Sequence, residues 1–201
     1  MARGFSEKEK IIIGEKLISS GQELFGRYGF EKTSLDQIVN MTGIAKGSFY
    51  KFYPNKELFF LDCLASTELQ MDREVITPLI NNSRSAGELL NDLFDIALHA
   101  AERYPIIQSW FETSSKERIL ASLPEAYQKK MDGTDEKRMI SLVKRLEELA
   151  PGFSFSSKDL ASLYRAFFFL NEHRNMISDE YEVFMKKFGK IMIKGLIDDQ
   201  G

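Results

Sequence analysis

The window from residue 44 to residue 56 holds three lysines and no acidic residue. Lys46, Lys51 and Lys56 stand in it beside the hydroxyl groups of Ser48 and Tyr50. Ammonium and hydroxyl groups are side chains that contact the phosphates of a nucleic acid. The residue after Lys46 is a glycine, which lets a DNA backbone come close because it has no side chain. The window therefore indicates a surface that binds DNA phosphates.

Two short helices joined by a tight turn must position these side chains. The segment TSLDQIVNMTG predicts a helix that Thr33 caps and Gly43 ends. A further helix is expected from about Ala45 to about Phe52. This helix-turn-helix pattern places its second helix in the major groove of DNA. Three lysines alone would be typical of a solvated helix face, but their coincidence with this pattern favours DNA binding.

Helical periodicity extends over the rest of the chain. A capping box of Ser6 and Glu9 begins a first helix that ends at Gly29, and Asn55 caps a fourth helix that stops before Pro78. Further helices are expected near 86–104, 105–113, 115–130, 134–149, 157–176 and 178–198. The predicted fold is all-α, with about nine or ten helices. An N-terminal three-helix helix-turn-helix unit, 1–54, precedes a C-terminal helical bundle domain, 55–201.

The charges of the chain are divided unevenly. The 201 residues include 27 Lys and Arg and 30 Asp and Glu, so the net charge is -3, which is unusual for a nucleic-acid-binding protein. The first 60 residues, however, contain 9 basic and 7 acidic residues, and the remainder contains 18 and 23. A basic N-terminal module on an acidic body fits binding to specific DNA sites better than unspecific coating of DNA.

Other classes of function have little support in the sequence. Cys63 is the only cysteine and the two histidines have no partner at ligand spacing, so we expect neither a disulfide nor a metal site. Motifs of hydrolases, phosphate-binding loops and dinucleotide-binding folds are missing, so we expect no enzyme and no cofactor. A lone cysteine and an N-terminus without a signal stretch favour the cytoplasm, and no segment is apolar enough to span a membrane.

The first 60 residues resemble the TetR family of bacterial transcriptional regulators. The resemblance rests on spaced positions of the helix-turn-helix unit and its flanks: Phe25, Gly29-Phe30, Thr33-Ser34-Leu35, Ile38, Gly43, Lys46-Gly47-Ser48-Phe49-Tyr50, Phe52 and Lys56-Glu57-Leu58. It implies that DNA, mostly its phosphates, is faced by Thr33, Lys46, Gly47, Ser48, Tyr50 and Lys56. It also implies that Lys51 occupies a more variable base-reading position.

Two positions depart from the family pattern. Val39 stands where an alanine is usual, and Ala45 stands where a serine is usual. Replacing a helix N-cap residue by alanine costs about 1 kcal/mol of helix stability. Ala45 therefore removes one phosphate contact and one cap without changing the overall assignment.

The resemblance further implies a homodimer that binds a palindromic operator and a small effector held by the C-terminal helices. Aromatic and polar side chains suit the lining of an apolar or amphipathic effector pocket: Phe94, Tyr104, Trp110, Phe111, Tyr127, Tyr164, Phe168, Asn171 and Arg174. For most of the aromatic residues, a structural role in the core is the alternative. Asn171 and Arg174 could instead lie at a helix end without a ligand.

The last two predicted helices carry apolar side chains on more than one side. A helix of this kind leaves an apolar patch in water unless a partner covers it. The residues expected in a dimer interface are Phe169, Phe184, Phe188 and Met192. Ordinary core packing is the alternative for part of this surface.

Three functions compete at this point. The favoured function is a homodimeric repressor that a small molecule releases from a palindromic operator. The second is a ligand-independent DNA-binding protein that organises the chromosome or recruits partners. The third is a helical ligand carrier or enzyme with a vestigial DNA-binding unit.

Overall fold

The computed structural model describes residues 5–124 and 139–198. All regular secondary structure in these two ranges is helical, which confirms the predicted all-α fold. The elements are α1 (Glu7–Lys32), α2 (Leu35–Thr42), α3 (Lys46–Phe49), α4 (Lys56–Met71), a π-helical turn (Asp72–Ile76), α5 (Thr77–Asn82), α6 (Ala86–Arg103), α7 (Pro105–Glu112), α8 (Lys116–Ala121), α9 (139–149), α10 (Ser157–Glu172), α11 (Arg174–Ile177) and α12 (Tyr181–Asp198). Within the described ranges, none of these helices is long and apolar enough to cross a membrane.

Helix α1 begins and breaks where the sequence predicts. The Ser6 hydroxyl accepts a hydrogen bond from the Glu9 backbone N–H at 3.3 Å, and the Glu9 carboxylate accepts one from the Ser6 N–H at 2.7 Å. This capping box satisfies two backbone donors at the start of the helix. Gly29 has φ 79° and ψ 168°, a conformation that favours glycine and kinks the chain before three further residues up to Lys32.

The cap of α2 differs from the prediction by one residue. Ser34, not Thr33, is the N-cap. Its hydroxyl accepts a hydrogen bond from the Gln37 backbone N–H at 3.2 Å, and the Gln37 side-chain oxygen accepts one from the Ser34 N–H at 2.7 Å. Both residues have a hydroxyl, but Gln37 three residues after Ser34 completes an S-x-x-Q capping box, and this is the sequence signal that distinguishes Ser34 from Thr33. Gly43 ends α2 with φ 76°, as predicted.

Helix α3 is one turn long and ends at Phe49, not at Phe52 as predicted. The Lys51 N–H donates to the Ser48 carbonyl at 3.1 Å, and the Phe52 N–H donates to the Phe49 carbonyl at 2.9 Å. These bonds span three residues and tighten the chain into a turn that leads toward Pro54. Asn55 then caps α4 as predicted, because its side-chain oxygen accepts from the Leu58 N–H at 2.8 Å.

The prediction that the fourth helix stops before Pro78 is wrong. Through the π-helical turn, the Thr77 N–H donates to the Asp72 carbonyl five residues earlier. Pro78 follows directly and has no backbone N–H to donate. The change from π-helical to α-helical hydrogen bonding therefore occurs next to a residue that could not donate a helical hydrogen bond. Proline is also tolerated in the first turn of a helix, and α5 therefore continues through it to Asn82.

The described residues form two compact units. The first comprises the residues up to Gln70 together with Ala101–Leu123, and the second comprises Met71–Ala100 and the described residues from Pro124 onward. The first unit extends past the predicted boundary at residue 54 because two phenylalanines of α4, Phe59 and Phe60, are completely buried in its core.

Five phenylalanines fill the centre of the first unit. All are fully buried: Phe25, Phe30, Phe49, Phe59 and Phe60. Neighbouring rings lie 4.8 to 6.1 Å apart in tilted, edge-to-face and stacked pairs, an arrangement that adds attraction beyond the burial of apolar area. Cys63 is also buried there, and burial raises the pKa of its thiol well above the usual value.

The second unit has its own apolar core. Leu89 of α6 and Leu146 of α9 are completely buried in it, and Ile193 of α12 is almost completely buried. Gly189 of α12 lies against the ring of Phe94, so a side chain at this position would collide with that ring. Arg145 closes the end of α5, since its guanidinium donates to the Ile80 and Ser83 carbonyl oxygens at 3.0 and 2.8 Å.

Two glycines of α1 allow a matched test of packing in the first unit. A Cβ at Gly21 would lie 2.5 Å from Cys63 Sγ and 2.6 Å from Phe59 Cζ, whereas a Cβ at Gly14 would contact nothing within 4 Å. We expect Gly21→Ala to lower the free energy of unfolding by about 1 to 3 kcal/mol through overpacking. Gly14→Ala should raise it by about 0.5 to 1 kcal/mol through helix propensity. Urea unfolding of both variants measures the difference, and equal midpoints would contradict this packing.

Candidate nucleic-acid interface

The turn between α2 and α3 presents a polar surface held from beneath by apolar side chains. Ile38 of α2 and Phe49 of α3 are fully buried, and this fixes which side of each helix faces outward. Lys46, Gly47, Tyr50 and Lys51 are exposed on the outward side, and Ser48 is half-buried. We call this surface, residues 46–48 with 50 and 51, the α3 face.

Tyr50 is the large aromatic side chain of the α3 face. Its residue is 54% exposed, although its ring packs edge-on against the buried Phe49 with a centroid separation of 5.7 Å. One edge of the ring is thus fixed while the other side of the residue remains open to solvent. Such an arrangement suits a hydroxyl group that donates to a phosphate from a defined position.

Lys51 lies over the ring of Phe5, with the ammonium nitrogen 5.2 Å from the ring centroid. The Phe5 ring is in turn 6.2 Å from that of Phe52. A cation over an aromatic face gains electrostatic attraction, which limits where the flexible lysine chain points. The sequence pattern does not indicate Phe5, because no spacing connects a residue before α1 with the turn after α3.

Gly47 is open on its outer side. A Cβ built on this residue would meet no atom of residues 5–124 or 139–198 within 4 Å. The space above the start of α3 is therefore available to another molecule. Ala45 precedes this helix as its N-cap and makes no side-chain hydrogen bond there, as the departure from the family pattern predicts.

An acidic residue from α2 reaches the α3 face. Lys46 Nζ lies 2.8 Å from Asp36 Oδ1, and both side chains are more than half exposed. The hydrogen bond to Asp36 raises the pKa of Lys46 above its usual value. The window 44–56 contains no acidic residue in sequence. In the folded protein, however, the carboxylate of Asp36, ten positions before Lys46, lies next to this window. A count within the window could not detect this ion pair.

Thr33 is placed differently from the prediction that it faces DNA. The residue is fully buried, and its hydroxyl donates to the Gly29 carbonyl oxygen at 2.7 Å, with the Leu24 carbonyl oxygen at 3.1 Å. These carbonyls belong to the last turns of α1, where the kink at Gly29 disturbs the helical hydrogen bonds. The Thr33 hydroxyl is therefore not available to a phosphate, and its role in this structure is to close α1.

The side chain of Lys56 also binds backbone groups of the protein. Its ammonium group donates to the Phe30 carbonyl oxygen at 2.8 Å and to the Thr33 carbonyl oxygen at 2.9 Å, and it lies 4.2 Å from the centroid of the Phe30 ring. Burial lowers the pKa of this lysine. Two of its three N–H donors thus tie the start of α4 to the end of α1. Of the seven residues predicted to face DNA, the five on the α3 face therefore remain: Lys46, Gly47, Ser48, Tyr50 and Lys51.

The residues predicted to line an effector pocket belong to both compact units. Tyr104, Trp110 and Phe111 lie in the first unit, where the Trp110 ring is 6.3 Å from that of Phe60. The remaining described residues of the set lie in the second unit: Phe94, Tyr164, Asn171 and Arg174. Tyr127 and the side chain of Phe168 lie outside the described part of the chain. The pocket remains a prediction.

Within the second unit, several pocket candidates have structural contacts. The Phe94 ring lies 5.1 Å from that of Phe167, and Tyr164 packs against the core. The Asn171 amide donates to the Phe167 carbonyl oxygen at 3.3 Å. Tyr181 is not among the predicted pocket residues. Its buried hydroxyl has no hydrogen-bond partner among the described residues, and burial raises its pKa to about 12.

Three of the four predicted dimer residues are exposed on the second unit. Phe169 is 61% exposed, and Phe184 and Phe188 also face solvent. Met192 instead packs against the core, because it lies on the same side of α12 as the buried Met185 and Leu196. Ile191, which is 73% exposed, was missed by the sequence analysis. Its position, three residues after Phe188, is the helical spacing that could have identified it.

Comparison with known proteins separates the N-terminal part of the chain from the rest. Residues 17–63 match the sequence model of a family described as bacterial regulatory proteins, tetR family. Over 78 residues, the chain is 32% identical to YezE, an uncharacterized HTH-type transcriptional regulator of Bacillus subtilis (strain 168). This alignment covers 39% of the present chain and 40% of YezE, so the chain spans less than half the length of this curated relative.

Solved structures resemble the whole chain in fold. The fatty acid degradation regulator FadR from Bacillus halodurans has a TM-score of 0.60 at 15% identity, with 96% of this chain and 98% of that chain covered. RolR, solved in complex with the ligand resorcinol, also has a TM-score of 0.60, at 16% identity and with 95% and 90% covered. A TetR regulator from Rhodococcus sp. RHA1 has a TM-score of 0.55 at 14% identity, with 94% and 99% covered. At these identities the likeness shows a common fold.

The contrast between Lys56 and Lys51 gives a test of their different roles. We expect Lys56→Met to lower the free energy of unfolding by about 1 to 3 kcal/mol, because two backbone carbonyls lose their donor. Lys51→Met, which removes an exposed ammonium group and its contact with the Phe5 ring, should lower it by less than about 1 kcal/mol. Urea unfolding without DNA measures both. Equal unfolding midpoints would show that the hydrogen bonds of Lys56 do not support the fold.

Proposed function

Because the chain belongs to the TetR family of bacterial regulatory proteins through its N-terminal domain, we propose that it is a DNA-binding transcriptional regulator. In this proposal it acts as a repressor, binds a palindromic operator as a homodimer and leaves the operator when a small effector binds. It works in the cytoplasm, and no catalytic step or cofactor is needed.

The observation that carries the proposal is the α3 face. A helix-turn-helix unit with a rigid aromatic core presents two lysines, an open glycine and an exposed tyrosine on one outward surface. In units of this kind the second helix enters the major groove, and the side chains around its start fix its register on the phosphates. We assign phosphate contacts to Lys46, Ser48 and Tyr50, close backbone approach to Gly47 and base reading to Lys51.

The proposed homodimer fits the geometry of DNA. Two recognition helices of a dimer must meet successive major grooves, which lie about 34 to 36 Å apart or at a multiple of this spacing. Phe184, Phe188 and Ile191 form an exposed apolar stripe on α12, and a second copy of the stripe would remove it from water. A two-fold arrangement of this kind would require a palindromic operator.

Release by an effector is supported by the fold and by the apolar composition of the C-terminal helices. The similar protein RolR was solved with resorcinol, a small amphipathic compound, and we propose an effector of this general class. An effector can weaken DNA binding only by its preference for the conformation that binds DNA poorly. The alternative is a ligand-independent DNA-binding protein that organises the chromosome or recruits partners, and its complexes would not respond to such compounds.

Selection of bound fragments from a pool of genomic DNA tests the central proposal. A palindromic sequence shared by the recovered fragments is the expected result, and the neighbouring genes would identify the regulated targets. If no fragment is enriched over a pool processed without protein, the chain is not a sequence-specific regulator.

Variants of the α3 face should lose affinity for the recovered operator. We expect Lys46→Ala and Tyr50→Ala each to weaken binding at least tenfold, about 1.4 kcal/mol, because each removes a phosphate contact. Lys46→Ala should also lower the slope of log affinity against log salt by about one. Lys144→Ala, on the exposed side of α9, removes the same charge and should change affinity less than twofold. Gel-shift titrations in which both folded variants match the wild type would defeat the assignment.

The proposed dimer has its own test on α12. We expect Phe188→Asp to give a monomer in equilibrium sedimentation at micromolar concentration, because it places a charge in the apolar stripe. Lys187→Asp alters the adjacent exposed residue and should leave the dimer intact. A wild-type protein that is already monomeric at this concentration would rule out the dimer.

A further inference from the structure

The ion pair between Asp36 and Lys46 connects the two helices of the helix-turn-helix unit. Asp36 lies in the first turn of α2, and Lys46 is the first residue of α3. Their polar atoms are 2.8 Å apart, and both side chains remain accessible, with 67% of Asp36 and 52% of Lys46 exposed. Asp36 therefore lies beside the α3 face, at the point where a phosphate would have to approach Lys46.

Each member of the pair has a separate reason to stay in place. The N-terminus of α2 is positive, which favours a carboxylate in its first turn, and the adjacent capping box of Ser34 and Gln37 holds that turn. Lys46 is the first residue of the one-turn helix α3, where Ala45 provides no side-chain cap, and its ammonium group is held by the ion pair with Asp36. Asp36 is thus the group that compensates Lys46 in the protein without DNA.

The same compensation weakens a phosphate contact. Most unspecific DNA affinity comes from lysines and arginines that replace the counterions of phosphates. A lysine already neutralised by a carboxylate presents a nearly neutral pair to the DNA. A phosphate must then either displace Asp36 from Lys46 or accept a negative charge close by, and both lower the affinity.

We propose that Asp36 is a positioning residue that restrains the phosphate contact of Lys46 and thereby limits the affinity of the α3 face for DNA. This inference rests on the proposed DNA-binding function and deepens it. Asp36 acts through Lys46 and does not itself contact the DNA. The restraint lowers affinity for any duplex, so that occupancy of DNA depends on the additional contacts that only an operator supplies.

A purely structural role for the pair predicts the opposite sign. If the pair only fixed α3 against α2, its loss would loosen α3 and weaken DNA binding. If Asp36 restrains Lys46, its neutralisation strengthens DNA binding. The direction of the change therefore distinguishes the two roles.

The experiment compares the wild type with Asp36→Asn, Lys46→Met and the double variant. The probes are the operator recovered by genomic selection and a 30-base-pair duplex of unrelated sequence, chosen to span about three helical turns. Glu147→Gln, on the exposed side of α9, gives the same change of net charge outside the helix-turn-helix unit. Circular dichroism confirms that every variant is folded before affinities are measured by fluorescence anisotropy over a series of salt concentrations.

We expect Asp36→Asn to bind both duplexes about three- to tenfold more tightly than the wild type, the range expected for one surface charge contact. Its salt slope should be steeper by a fraction of about one, because Lys46, no longer neutralised by Asp36, then releases more of the counterion of the phosphate that it contacts. In the Lys46→Met background, the gain should fall to about twofold or less. Glu147→Gln should remain within twofold of the wild type.

Two kinds of result overturn the inference, and they are distinguishable from each other. If the wild type binds the operator but Asp36→Asn binds equally or more weakly, or gains no more than Glu147→Gln, Asp36 does not restrain Lys46. The same conclusion follows if the gain persists unchanged in the Lys46→Met background. If the wild type binds neither duplex, the proposed function fails, and this inference fails with it.

Discussion

The burial of Phe49 is the constraint on which the helix-turn-helix unit depends. This side chain is inaccessible to solvent and packs edge-on against Phe59 of α4 at 5.3 Å. Helix α3 is only one turn long, so a single anchored residue determines the direction of every other side chain in it. With Phe49 directed into the core, Lys46, Gly47 and Tyr50 must face outward. The direction of the α3 face is thus set by the apolar packing of Phe49.

The aromatic core in turn requires that the polar backbone around it be satisfied. The kink at Gly29 interrupts the hydrogen bonds of α1 beside the buried Phe30, and unpaired carbonyl oxygens there would destabilise the fold. Thr33 and Lys56 supply the missing donors. The carboxylate of Glu31 accepts hydrogen bonds from the hydroxyls of Thr113 and Ser114, which ties the segment after α7 to the same place. Thr33 and Lys56 have the residue types of DNA contacts, but in this structure they donate hydrogen bonds to backbone carbonyl oxygens of the protein.

Local patterns predicted much of this structure. The capping box of Ser6, the αL end of α2 at Gly43 and the cap at Asn55 depend on neighbouring residues, and their chemistry is visible in a short stretch of sequence. The all-helical fold follows from the same kind of pattern. Cys63 lies within a helix and is buried, which is the usual position of a small apolar side chain in a core.

The structure differs from the sequence-based expectations where distant residues meet. Thr33 and Lys56 have the residue types of phosphate ligands, but their partners are backbone atoms that only the folded chain brings near. Asp36 enters a window that contains no acid in sequence, and Phe5 reaches Lys51 from the other end of the unit. The boundary at residue 54 followed the helix-turn-helix motif, whereas packing of α4 and α7 decided the extent of the first unit. Such contacts have no signature in the spacing of a single sequence.

The single thiol of the chain is enclosed between α1 and α4, where its sulfur lies 3.8 Å from the Ile18 carbonyl oxygen. A thiol reacts with electrophiles and oxidants as the thiolate, which needs both deprotonation and access of the reagent. Burial opposes both at Cys63. The protein is thus protected from oxidative cross-linking through its cysteine while α1 stays on α4. Chemical modification of this one atom would record separation of these two helices, which makes Cys63 an intrinsic reporter of local opening in the native protein.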